Sequence, residues 1–118
     1  MKIRQRNTGS VVCLDLEGRM VLTDGDDAVR DKVNSLLYQG HLRFVINLKE
    51  VSQMDTSGLT TMMSIRLAVH KRGGDIRLCA LTARIHNLLV ITRLITLFEV
   101  FDSEAEAVNS FPVETSVL

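Results

Sequence analysis

The sequence predicts an α/β fold: a mixed, mainly parallel β-sheet with a leading antiparallel hairpin, flanked by about four helices. Three observations carry this. Two β-like runs near the N-terminus are separated by the turn residues Asn7-Thr8-Gly9-Ser10, which marks a hairpin. After that hairpin, helical stripes alternate with short strand-like runs, the pattern of helices packed on a mainly parallel sheet. In the middle of the chain, the apolar run Phe44-Val45-Ile46-Asn47-Leu48 leads through a polar link into a long helical stripe, which is half of a β-α-β unit.

Lys2–Arg6 reads as a short edge strand with charged sides. Val11–Glu17 is the second strand, with Val12, Leu14 and Leu16 on one face and Asp15 and Glu17 on the other. Gly18 is expected to end it, and Arg19–Leu22 to form a brief further strand. Thr23-Asp24-Gly25-Asp26-Asp27 is an acidic loop that supplies capping groups and negative charge to the next helix start. Val29, Val33, Leu36 and Leu37 form that helix's apolar stripe, and Gly40 is its stop.

Lys49–Met54 reads as a polar connection after the central strand. A helix over Gly58–Arg72 follows, with Gly58, Met62, Ile65 and Val69 in its stripe, Leu59, Met63 and Leu67 alongside, and Gly73-Gly74 after it. Asp75–Leu81 alternates as a strand, with Ile76, Leu78 and Ala80 on one face. Thr82 caps a helix that buries Ile85, Leu88, Leu89 and Thr92. A last strand is placed near Glu99–Phe101, and Ser103-Glu-Ala-Glu106 is a capping box for a final helix that Pro112 ends. Residues 1–111 are expected to form one domain and 112–118 a flexible tail.

Composition narrows the classes of function. At 118 residues, 46% hydrophobic and 24% charged, the chain is long enough for a core without disulfide or metal staples. Lys+Arg and Asp+Glu number 14 each, so bulk charge gives no reason to expect nucleic-acid binding. Cys13 and Cys79 sit far apart in β-like runs, form neither a CxxC pair nor a metal pattern, and read as small buried residues. MKIRQRNTGS lacks the apolar core of a signal peptide, and no apolar run approaches the ~18 residues of a membrane span. A cytoplasmic location is therefore expected.

The candidate chemistry lies in Asp55-Thr56-Ser57-Gly58. At a helix N-terminus several backbone N–H groups lack partners, so Asp55 or Thr56 can cap it. Ser57 then falls in the first turn, where a hydroxyl is reachable and an attached phosphate is favoured by the helix dipole. Gly58 is expected to leave room for another molecule to approach the backbone. The same residues also serve as a plain helix cap. Asp55-Thr56 departs from the Asp-Thr-Gly of aspartic proteases because Ser57 intervenes, and no second such motif supplies the paired carboxylate. A nucleophilic Ser57 would need a base, and nothing in the sequence aims His41, His70 or His86 at it. There is no P-loop and no HExxH, so no cofactor or ATP site is expected and the chain is not read as an enzyme.

The run Met54-Asp-Thr-Ser-Gly-Leu59 opening a helix after a strand and a polar link resembles the STAS domain of anti-sigma factor antagonists, and the element order fits over roughly residues 3–111. The resemblance implies a STAS fold and an anti-anti-sigma factor. Its unphosphorylated form would bind an anti-sigma factor that is also a serine kinase, and so release a sigma factor. That kinase would use Mg-ATP to phosphorylate the second hydroxyl of the motif, which maps onto Ser57, and a PP2C-type phosphatase would reverse the step.

The implied contact surface is Asp55, Thr56, Ser57, Gly58, Leu59 and Thr60, with Asp24 from the acidic loop. The family usually has Gly-x-Leu-Asp at that loop. Here Gly18-Arg-Met-Val-Leu22-Thr-Asp24 is longer. A monomer or weak dimer is expected. The alternative is a non-switching STAS module, such as an adaptor subunit of a lipid-transport ABC system or a stress-signalling scaffold.

Overall fold

The computed structural model describes residues 1–21 and 26–112. In chain order these form β1 (Lys2–Thr8), β2 (Val11–Met20), α1 (Asp26–Tyr38), β3 (Arg43–Met54), α2 (Thr56–Lys71), β4 (Asp75–Cys79), α3 (Ala83–Ile91), a 3₁₀ turn (Leu94–Leu97), β5 (Glu99–Phe101) and α4 (Glu104–Asn109). The sheet order is β1-β2-β3-β4-β5. β1 and β2 are antiparallel, and every other neighbouring pair is parallel. The predicted mixed sheet with its leading hairpin is thus the observed one. A two-residue loop, Gly9-Ser10, joins the hairpin, and Gly9 takes the positive φ of +59° that such a turn requires.

One predicted connection is strand, and one predicted strand break is absent. β2 does not end at Gly18 but runs on to Met20, and β3 runs through Lys49–Met54. The two pair along this extension, Glu17 with Glu50, Gly18 with Val51, and Met20 with Met54, with register shifts between Asp15 and Glu17 and between Gly18 and Arg19. Gly18, at φ +121°, absorbs the irregularity, so the strand bends instead of stopping. Those shifts break the strict alternation that would have marked the stretch as strand. Arg19-Met20 is therefore the end of β2, not a separate strand, and Leu22 of that expectation lies outside the described residues. β4 stops at Cys79, two residues earlier than expected, because Ala80 turns to a left-handed φ of 56° and donates its N–H to Phe101 O (3.1 Å).

α1, α2 and α3 cover one face of the sheet. Val29, Val33, Leu36 and Leu37 of α1, Met62, Ile65 and Val69 of α2, and Ile85 and Leu89 of α3 pack on Val12, Leu14, Leu16, Phe44, Ile46 and Leu48. Thr92, expected on the buried side of α3, is instead its exposed C-cap, and its hydroxyl donates to Leu88 O (2.8 Å). α4 covers part of the other face, where Ala107 and Phe111 meet Val11, Cys13, Val45 and Cys79. It ends at Asn109, ahead of Pro112. Residues 113–118 of the predicted tail lie outside the described residues.

Both cysteines are buried and free. Burial pushes the Cys13 thiol up, and the Cys79 thiol up to about 12, so neither is a reactive thiolate near neutral pH. Arg77 is a buried charge that the alternation did not flag. Its guanidinium lies 4.3 Å from the Phe111 ring centroid, donates to Ser110 Oγ (2.9 Å) and pairs with Asp75 and Glu99, which ties α4 to the sheet.

Candidate functional site

Asp55 is the N-cap of α2. Its backbone is extended, and its carboxylate accepts the Gly58 N–H at 3.0 Å. Its own N–H donates to Met20 O at 3.4 Å, so the cap is attached to the end of β2. The choice between Asp55 and Thr56 as cap resolves to Asp55, and the helix begins at Thr56, two residues ahead of the predicted start. It ends in a Schellman arrangement, with Gly73 N–H on His70 O and Gly74 N–H on Val69 O, both at 3.0 Å. Replacing Asp55 by alanine is expected to cost about 1 kcal/mol, the usual worth of a cap. A urea melt checks this, and a loss of partner binding without that loss of stability would assign Asp55 to the interface instead.

Over the next five residues the helix distributes the motif over three directions. Thr56 and Thr60 are exposed, and Thr60 donates its hydroxyl to Thr56 O at 3.0 Å. Ser57 is half-buried on the flank that carries Thr61 one turn later. Gly58 and Leu59 are buried. A Cβ on Gly58 would lie 2.3 Å from Met20 O and 2.7 Å from Met54 Cγ. The space at Gly58 is thus filled from within by the ends of β2 and β3, and the expectation that it admits another molecule is corrected. Leu59, at 8% exposure, belongs to the core. Asp24 and residues 23–25 of the acidic loop lie outside the described residues.

The sequence reading missed Arg30. It stands one turn into α1, where a positive charge opposes the helix dipole. Asp27 offsets this, accepting from Arg30 Nη1 at 2.9 Å, while Nη2 donates to Thr61 Oγ1 at 3.1 Å. Thr61 is fully buried, so this bond satisfies a hydroxyl set within an apolar stripe. Thr61 itself was a visible signal, a polar residue among α2's apolar positions, but its partner is 31 residues away.

Other features of the described residues do not converge on Ser57. His70 faces Asp75 at 3.4 Å, at the far end of α2. His41 precedes β3, and His86 is exposed on α3. No group of three or more His, Cys, Asp or Glu among the described residues could hold a metal ion. A groove of about 760 Å³ lies over the α4 side of the sheet, lined by Arg4, Arg6, Asp15, Glu17, Lys49 and Glu104. Its central charges are mutually satisfied. Arg6 donates to both Asp15 oxygens and to Glu104, and the Arg6 bonds hold the Asp15 carboxyl below its ordinary range. No helix among the described residues is long and apolar enough to cross a membrane.

Residues 2–107 match the STAS domain family. An anti-sigma F factor antagonist of Paenibacillus polymyxa is 28% identical over 69 residues, 58% of this chain and 59% of that protein, so the match spans less than two thirds of the relative. An anti-sigma factor antagonist of Mycobacterium paratuberculosis has the same fold, with a TM-score of 0.82 at 15% identity and 92% of each chain covered. The anti-sigma factor antagonist SpoIIAA of Bacillus, solved in unphosphorylated and phosphorylated forms, superposes at a TM-score of 0.71 and 18% identity in both, covering 92% of this chain and 96% and 97% of those chains.

Proposed function

The chain belongs to the STAS domain family, and from that premise we propose that it is an anti-sigma factor antagonist switched by phosphorylation of Ser57. In its unphosphorylated form it binds an anti-sigma factor serine kinase and frees the sigma factor held by it. The kinase transfers the γ-phosphoryl group of Mg-ATP to Ser57 Oγ. The Ser57 O–P bond forms, ADP leaves, and the hydroxyl proton passes to a base of the kinase. A PP2C-type phosphatase hydrolyses the phosphoester. The chain is the substrate of this chemistry, not its catalyst, and works in the cytoplasm.

The observation that carries this reading is the placement of Ser57. It is accessible in the first turn of a helix whose cap is already made by Asp55. The capping bond runs from the Gly58 N–H to Asp55 and does not use Ser57, so a phosphate there leaves the cap in place while the surface changes. Exposed Thr56 and Thr60 provide direct contacts beside it. Gly58 and Leu59, being buried, serve the interface by setting the height of the helix on the sheet. Asp55 fixes the direction of the first turn.

Ser57→Ala and Ser57→Asp baits in a lysate of the native host test the reading. A kinase-type anti-sigma factor retained by Ser57→Ala and depleted on Ser57→Asp is the expected result. Capture of the same transporter ATPase or scaffold by both baits would replace the switch by a static STAS adaptor. Purified kinase with ATP is expected to label the native chain and not Ser57→Ala. Persistent labelling would move the site, with Thr56 the first candidate.

A further inference from the structure

The cross-helix contact of Arg30 bears directly on Ser57. Residues four apart on a helix lie one above the other, with Cβ atoms roughly 5–6 Å apart. Ser57 and Thr61 are such a pair, and the hydroxyl of Thr61 holds the Arg30 guanidinium at 3.1 Å. Arg30 therefore sits on the same flank of α2 as Ser57, one turn along. Arg66 lies on the other flank, where its Nε donates to Leu97 O at 2.6 Å. Neither present partner of Arg30 is a strong hold. Asp27 is 85% exposed, and an ion pair in that setting contributes little. Thr61 is a neutral acceptor that can turn its hydroxyl to the carbonyl four residues back, which is that of Ser57.

We propose that Arg30 receives the phosphate of Ser57, exchanging its bonds to Thr61 and Asp27 for a forked pair with two phosphate oxygens. A guanidinium suits this role, since its planar fork matches phosphate oxygens and charge-assisted bonds exceed neutral ones. The exchange leaves the Asp27 carboxylate without its arginine and beside a dianion. Phosphorylation of α2 is thereby felt at the start of α1, and the surface the partner meets changes on two elements. This rests on the reading of Ser57 as a phosphorylation site. The test installs the phosphate directly, so it does not depend on a kinase or on any partner.

The chain is prepared with phosphoserine incorporated at position 57, and the second phosphate pKa is followed by phosphorus NMR. Asp27 and Asp55 stand at the same end and raise that pKa. The native chain is expected to titrate about one unit below Arg30→Gln, the effect of an opposite charge at close range. Asp27→Asn, which removes the competitor, is expected to titrate lower still than the native chain. Equal values for the native chain and Arg30→Gln overturn the proposal.

A second measurement needs no substitution. The Arg30 Nε–H resonance is expected to move when Ser57 carries phosphate, while that of Arg66 stays in place. A stationary Arg30 signal also overturns the proposal. Failure of a kinase to label Ser57 would sink the switch reading and leave the Arg30 result standing.

Discussion

Gly58→Ala is expected to destabilise the protein by about 3 kcal/mol, the upper part of the range for overpacking a close-packed site. The sign is informative. At an exposed helix position the same change usually stabilises by up to about 1 kcal/mol, because alanine is the better helix former. Here the added methyl meets Met20 O at 2.3 Å and Met54 Cγ at 2.7 Å. Met54 can move its side chain, but the Met20 carbonyl is part of β2. Relief therefore means lifting α2 off the sheet, with Met62 and Ile65 attached to it. Urea denaturation of Gly58→Ala beside Ser64→Ala, an exposed site on the same helix, checks this. A midpoint for Gly58→Ala equal to that of Ser64→Ala would show that the helix end is free to shift. It would also reopen Gly58 as a point of approach for a partner.

Phosphate on Ser57 is expected to weaken binding to the anti-sigma factor kinase by more than a hundredfold. The modification adds roughly −1.5 to −2 charge near neutral pH. If the interface closes over Ser57, that charge is desolvated, and a loss of about 3 kcal/mol corresponds to more than two decades in Kd. Ser57→Asp is expected to lose less, since one carboxylate carries a smaller charge. Titration with the unphosphorylated and phosphorylated chains at low and high salt separates two mechanisms. A difference that persists in high salt comes from buried charge and bulk. One that salt abolishes comes from repulsion across water, which is screened beyond about 10 Å at 0.1 M. Equal affinity of the two forms would end the switch reading.

The site was legible in part, and the parts share a physical character. Asp55 as a cap, Gly73 as a helix stop and Thr82 and Ser103 as further caps follow from interactions between residues two to four apart. So does the position of Ser57 in a first turn. What a glycine is for, by contrast, depends on what lies opposite. The sequence around Gly58 is the same whether the vacancy faces a partner or the carbonyl of Met20. Arg30 was missed for the same reason. An arginine near a helix start carries no mark that its guanidinium serves a buried threonine 31 residues on. The extension Lys49–Met54 was missed, and Arg19-Met20 was read as a separate strand, because register shifts and polar outer residues hide the alternation.

By itself the sequence determined the alternation of helices and strands, the hairpin at Gly9, the apolar stripes and the capped turn that presents Ser57. Each is set by local steric preferences and by the period of the apolar residues, which act within one segment. Only the tertiary structure decided which neighbours those segments meet. It brought the ends of β2 and β3 beneath Gly58, set α4 and Phe111 against Arg77, and carried Arg30 across to Thr61 on α2. Those contacts join residues far apart in the chain, and their energies depend on packing around them that no single stretch of sequence contains.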